Sequence, residues 1–306
     1  MKQFLFFLLL FSCYLEQLTA QDTLSFTKSE IIYGRKDGMA LTMLMLAPKE
    51  RPNGKAIISV VSGNWNSSYN YALSFVNNSK IYLDKGYVVF TVIHGSQPRY
   101  SIPNEIADLK RAVRFIRFNS NNYHIDGSHL GIMGSSSGGH LALMVGLSDD
   151  KIDTASKDPI EKISSRVQAV AVFYPPTDFL NWGQDKMDLS KLQSALALAG
   201  VAGAFDFKEW NDTVRLYRSV TAERKLEIAK QISPIYNVTP DDPPVLIIHG
   251  DADRTVPLQQ SESIIKKLNE AKVANSFIVK KGGGHGWKDR VVEEKNFVDW
   301  FDKYLK

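Results

Sequence analysis

A chain of 306 residues with 44% hydrophobic and 23% charged residues has the make-up of a folded globular protein, which excludes a disordered, collagen-like or coiled-coil molecule. Its net charge of +4 comes from 37 basic and 33 acidic residues without any block of five or six bases, so nucleic-acid binding has no support. The single cysteine, Cys13, excludes an internal disulfide framework, a cysteine-rich metal site and a Cys-x-x-Cys redox motif. In chain order, Lys2 precedes an apolar run over 4–11, and Leu18-Thr19-Ala20 follows. This pattern predicts a secretory signal peptide over 1–20 with cleavage after Ala20, and hence a secreted or periplasmic protein. Lipid anchoring at Cys13 is the alternative. The run is too short to span a bilayer.

The stretch 24–46 alternates, with Ile32, Met39, Leu41, Met43 and Met45 among polar or small neighbours. It predicts two antiparallel strands turning at Lys36-Asp37-Gly38. Continuous apolar runs follow at 56–61, 87–93, 130–133, 167–173, 245–248 and 276–279. Such runs suit strands buried on both faces of a parallel sheet. Helical patterns lie between them. Over 104–118, Ile106, Leu109, Ala112, Val113 and Ile116 share one face, and Lys110, Arg111, Arg114 and Arg117 are expected on a solvated one. Residues 258–270 and 291–305 also predict helices. The alternation predicts an α/β fold: a mostly parallel sheet with helices on both faces and an antiparallel amino-terminal edge. One domain over 21–306 accounts for the chain. Its alternation breaks at 177–233, where a helical cap inserted between strands is expected.

Gly134-Ser135-Ser136-Ser137-Gly138 lies between a predicted strand and a helix over 140–147. Of its three serines, only Ser136 has glycine two residues away on both sides. Gly-x-Ser-x-Gly in this context makes a tight turn that lifts the central hydroxyl out of the sheet at a helix N-terminus. A serine nucleophile needs a base. Among six histidines, His285 lies in a loop of four glycines between the last strand and the last helix, and His94 is the second candidate. His140 and His249 are expected to be structural, and His124 and His129 to lie at the surface. For the acid that orients the imidazole, the loop after 245–248 offers Asp251 or Asp253, and Asp178 is a further alternative. The order serine, aspartate, histidine is that of the hydrolase sheet fold.

These residues resemble the α/β-hydrolase superfamily. Gly134-Ser135-Ser136-Ser137-Gly138-Gly139-His140-Leu141-Ala142 is similar to the nucleophile segment of the acetyl-esterase and hormone-sensitive-lipase-like carboxylesterases. His249-Gly250-Asp251-Ala252-Asp253-Arg254-Thr255-Val256-Pro257 is similar to the acid loop that branch shares with prolyl-oligopeptidase catalytic domains. The resemblance implies Ser136, Asp253 and His285 as catalytic residues. Where those esterases carry His-Gly-Gly-Gly, this chain has Ser62-Gly63-Asn64-Trp65. Backbone N–H groups of Gly63, Asn64 and Ser137 are therefore expected to form the oxyanion hole, and Trp65 to wall the substrate pocket.

The function so implied is a serine carboxylic-ester hydrolase working through an acyl-enzyme, with no metal and no organic cofactor. The expected substrate is a small-molecule or glycan ester, acetylated or feruloylated carbohydrate above all. A prolyl-oligopeptidase-like peptidase, a non-catalytic binding protein on the same scaffold, and a dienelactone-type hydrolase are the rivals. The last would carry cysteine at position 136.

Overall fold

The computed structural model describes residues 25–183 and 186–306. The expected signal peptide and Cys13 lie outside the described residues. Among the described residues the first elements are β1 (Phe26–Lys36) and β2 (Met39–Pro48), an antiparallel hairpin. Asp37 and Gly38 both take positive φ, +48° and +80°, as a two-residue hairpin loop of type I′ requires. The register shifts between Ile32 and Gly34. This bulge turns Tyr33 into the core and leaves Ile32 exposed, although simple alternation placed Ile32 inside.

The next strand is β3 (Ala56–Val61). Helices α1 (Tyr69–Ser74) and α2 (Lys80–Leu83) lead to β4 (Val88–Ile93), and α3 (Ile102–Phe118) to β5 (Leu130–Ser135). Helix α4 (Ser137–Leu147) follows at once, then β6 (Ala169–Phe173). After the 177–233 segment come β9 (Val245–Gly250), α7 (Gln259–Glu270), β10 (Asn275–Lys280) and α8 (Val291–Tyr304). The eight main strands are ordered β1-β2-β4-β3-β5-β6-β9-β10, and β2 alone runs against the rest. All residues of β3, β6 and β9 are buried, because helices and apolar side chains cover both faces of the sheet.

The order carries the site. β4 lies on one side of β3 and β5 on the other, so connections leave this pair in opposite directions. A crevice opens at such a switch point, outside the carboxyl ends of the strands.

The structure corrects two expectations. The 177–233 segment is not all helical. It holds α5 (Gln193–Leu198), the antiparallel hairpin β7 (Lys208–Asn211) and β8 (Leu216–Ser219), and α6 (Ala222–Gln231), with short 3-10 turns between. The hairpin pairs exposed Trp210 with exposed Tyr217, so its strands lack the buried apolar run that marks the others. The basic side of α3 is not a solvated face either. Arg114 is buried and binds Glu161, Asp150 and the carbonyls of Ile163 and Lys151. Arg117 binds the carbonyls of Gly127, Ser164 and Arg166.

Candidate active site

Ser136 stands between β5 and α4 with φ 55° and ψ −125°, a conformation that L-residues other than glycine rarely adopt. The flanking glycines make this turn possible. A Cβ on Gly138 would lie 2.7 Å from the Val60 carbonyl oxygen, and one on Gly134 would strike the Gly138 carbonyl. Hydrogen bonds from Ser136 N to Phe173 O (3.0 Å) and from His140 N to Ser136 O (2.9 Å) hold the strained residue from both sides.

Two loops at the same edge of the sheet supply the partners of Ser136. The loop after β9 and the glycine loop after β10 are stitched together. Asp251 N donates to Lys280 O (3.1 Å), Ala252 N to Gly283 O (2.9 Å) and Gly282 N to an Asp251 carboxylate oxygen (2.6 Å). This brings His285 Nδ1 to 2.8 Å from Asp253 Oδ2, and His285 Nε2 to 2.9 Å from Ser136 Oγ. With Nδ1–H donating to the carboxylate, Nε2 is left to accept the serine proton.

The Asp253 side chain is fully buried. Burial alone would raise its pKa. Hydrogen bonds from His249, His285 and the N–H groups of Val256 and Thr255 overcome that effect and hold the carboxyl well below the usual carboxylate range. Asp251 is spent on Gly282. Asp178 is spent on its own turn, where it accepts from the N–H groups of Leu180 and Asn181 and from the Asn181 amide. Neither replaces Asp253 beside His285. His94 is buried with Nδ1 against Gly95 O and makes no hydrogen bond to Ser136, His285 or Asp253.

The other half of the site is the turn 63–66 after β3. Gly63 N donates to Asn66 O (2.9 Å), so the expected Gly63 donor is already engaged, and this corrects its assignment to the oxyanion hole. The N–H groups of Asn64 and Ser137 have no acceptor among the described residues, the latter because it opens α4. Ser137 Oγ also donates to Ser62 Oγ (3.1 Å), tying the two donor segments together.

Trp65 likewise departs from expectation. Positive φ at both Asn64 (52°) and Trp65 (56°) folds the indole inward, where it is 5% exposed and packs against His140, Phe179 and Phe205. It anchors the turn from beneath and does not wall a pocket. Beside His285 stands the buried Tyr174, whose ring centroid lies 4.6 Å from that of His285 and whose hydroxyl accepts from Arg290 (2.9 Å).

Sequence reasoning missed Gln97, Tyr174 and the contact of His249 with Asp253. Only His249 had a signal, its place four residues before the aspartate in the acid loop. Among the described residues no group of three or more His, Cys, Asp or Glu side chains could hold a metal ion, and no helix is long and apolar enough to cross a membrane.

A family model, BD-FAE, matches residues 43–268. The chain belongs to the BD-FAE family. This is a hormone-sensitive-lipase-like branch of the α/β-hydrolases, and the sheet order above is that fold. The esterase LipC of Mycobacterium tuberculosis is 26% identical over 263 residues, covering 85% of this chain and 60% of that protein. The chain thus spans little more than half the length of this family relative. A solved carbohydrate esterase from gut microbiota, in truncated form, superposes with a TM-score of 0.71 at 27% identity, over 94% of this chain and 98% of that one. Esterase 2 of Thermogutta terrifontis shares the fold at 20% identity and a TM-score of 0.68, over 90% of each chain.

Proposed function

We propose that this protein is a serine carboxylic-ester hydrolase acting through an acyl-enzyme. The observation that carries the reading is the unbroken line Ser136 Oγ–His285 Nε2, His285 Nδ1–Asp253 Oδ2, together with N–H groups at Asn64 and Ser137 that have no acceptor among the described residues. Ser136 attacks the ester carbonyl while His285 takes its proton. Asp253 fixes the imidazole tautomer and stabilises its charged form. The N–H groups of Asn64 and Ser137 receive the developing oxyanion. His285 then protonates the departing alcohol, and water repeats the sequence on the acyl-enzyme, returning the proton to Ser136.

The proposed substrates are acetyl or feruloyl esters of carbohydrates. The likeness to a carbohydrate esterase over nearly the whole of both chains supports this. Export directed by residues 1–20 would place the protein among extracellular glycans, and amino-terminal sequencing of the mature protein tests it. For the reaction, the purified protein is given p-nitrophenyl acyl esters of increasing chain length, acetylated and feruloylated xylan oligosaccharides, and proline-containing peptides. Preferential release of acetate or ferulate from the oligosaccharides supports the proposal. Cleavage of the peptides instead, or full activity in Ser136→Ala, overturns it.

A further inference from the structure

The Asn64 N–H lies on a turn of two consecutive positive-φ residues, and such a turn keeps its shape only if its surroundings impose it. Two side chains outside the Ser136 line do so. His140 follows Ser136 by one turn of α4. Its Nδ1 accepts from Trp65 Nε1 (3.1 Å), and its Nε2–H donates to Ile232 O (2.7 Å). This pattern requires a neutral imidazole with its proton on Nε2. Complete burial provides that state by pushing the pKa down to about 4. A single ring thus joins the turn that bears one oxyanion donor to the helix that bears the other.

Gln97, 8% exposed, holds the same turn from another side. Its Nε2 donates both to Asn64 O (2.9 Å) and to Gly200 O (2.7 Å). The two ties share a feature: Ile232 and Gly200 both belong to the 177–233 segment. The inserted segment is therefore bonded, through one side chain each, to Trp65 and to Asn64.

We propose that His140 and Gln97 are positioning residues that hold the Asn64 N–H at its working separation from the Ser137 N–H, with the 177–233 segment as their common anchor. The inference rests on the reading of Ser136 as nucleophile and of these N–H groups as oxyanion donors. It gives the insertion a role in the chemical step, beyond covering the site. A donor displaced by a fraction of an ångström stabilises the transition state less while leaving ground-state binding nearly intact.

The test compares full-length Gln97→Met and Trp65→Phe with the unmodified protein on p-nitrophenyl acetate. Gln97→Met removes both N–H donors at similar volume. Trp65→Phe removes the indole N–H while keeping an aromatic ring at the position, at the cost of some buried volume against Phe179 and Phe205. Each is expected to lower kcat by about 10- to 100-fold, the range between a misplaced and a missing donor, with KM changed less than about twofold. The rate of inactivation by a fluorophosphonate should fall in step with kcat/KM. His140→Gln, which can both accept and donate, should retain more kcat than His140→Leu. If Gln97→Met does not fold, Gln97→Glu keeps the shape without the donors and is expected to show the same loss. Wild-type kcat in the folded Gln97 and Trp65 variants, or a loss confined to KM, overturns the proposal. Ser136→Ala, measured alongside, separates the two levels. If it is inactive while the Gln97 and Trp65 variants turn over normally, only the positioning role falls. If it remains active, the nucleophile reading falls first.

Discussion

Asp253 faces two imidazoles through one oxygen. Oδ2 lies 2.8 Å from His285 Nδ1 and 3.4 Å from His249 Nε2, while Oδ1 takes the N–H groups of Thr255 and Val256. His249 is itself pinned, with Nδ1 2.6 Å from Ser261 Oγ and Nε2 3.0 Å from Val256 O. The carboxylate is thus held in orientation by contacts that do not depend on His285. Asp253→Asn should lower kcat by about 10⁴-fold, because an amide can present N–H to Nδ1 and stabilise the wrong tautomer. Asp178→Asn should cost far less, since Asp178 has no contact with His285. Steady-state kinetics on a chromogenic ester checks both. The depressed pKa also has a stability consequence. A carboxyl with a folded pKa below its unfolded value stabilises the fold fully above the ordinary carboxylate pKa, and that contribution is lost as pH falls towards the folded value. The stability difference between wild type and Asp253→Asn should therefore be larger at pH 7 than at about pH 3.5, as read by urea unfolding.

Gly138→Ala tests the elbow without touching a reacting group. The added methyl would meet the Val60 carbonyl oxygen at 2.7 Å, and β3 and α4 would have to part. Overpacking of this kind costs about 1–3 kcal/mol. The same movement separates the Ser137 N–H from the turn after β3. The variant should lose kcat at temperatures well below its melting point. A folded variant with unchanged kcat would show that the two donor segments need not be in register.

The main strands were legible because burial on both faces demands continuous apolar residues, and the runs at 56–61 and 245–248 lie on β3 and β9. The Gly-x-Ser-x-Gly turn was legible because sterics there admit only glycine. What stayed hidden depends on the fold itself. The bulge at Ile32–Gly34 is a matter of register, which alternation cannot count. Gly63 and Asn64 look equivalent in sequence, yet only Asn64 keeps its N–H, because Gly63 closes the turn onto Asn66. Trp65 looked like a pocket wall because its inward turn depends on two backbone angles. The role of Gln97 arises from contacts 33 and 103 residues away along the chain.

Arg114 shows how a helix face that looks solvent-exposed in sequence becomes structural. Its guanidinium reaches Glu161 (2.9 Å), Asp150 (3.2 Å) and the carbonyls of Ile163 (2.9 Å) and Lys151 (2.9 Å), with the side chain 8% exposed. Asp150 in turn accepts from Ser164 and Ser165. Arg114→Ala would leave two carboxylates and two carbonyls short of a donor, and breaking a buried pair of this kind costs about 3–5 kcal/mol. Arg114→Lys should recover only a minor part, since one ammonium cannot replace a planar fork. Chemical denaturation of the three proteins decides the matter, and a loss near that of a surface substitution would contradict it.

Glu105 sets a different pH dependence from Asp253. It is fully buried, neither carboxyl oxygen has a hydrogen-bond partner, and His94 Nδ1 stands 3.8 Å away. Burial, reinforced by the charge of Asp108 and only partly offset by Lys36, holds the Glu105 carboxyl well above the usual range. The folded state then keeps a proton that the unfolded chain releases. Stability from this source is full below the ordinary carboxyl pKa and is lost as pH rises through the folded value. His94, pushed down to about 4 by burial, acts in the opposite direction, its contribution being lost as pH falls from its ordinary value. Glu105→Gln fixes the neutral form at nearly the same shape and leaves His94 in place. The stability of Glu105→Gln relative to wild type should rise as pH increases above about 4.5 in urea unfolding, and level off once the folded carboxyl ionises. A difference that does not change with pH would mean that Glu105 ionises as readily in the folded chain as in the unfolded one.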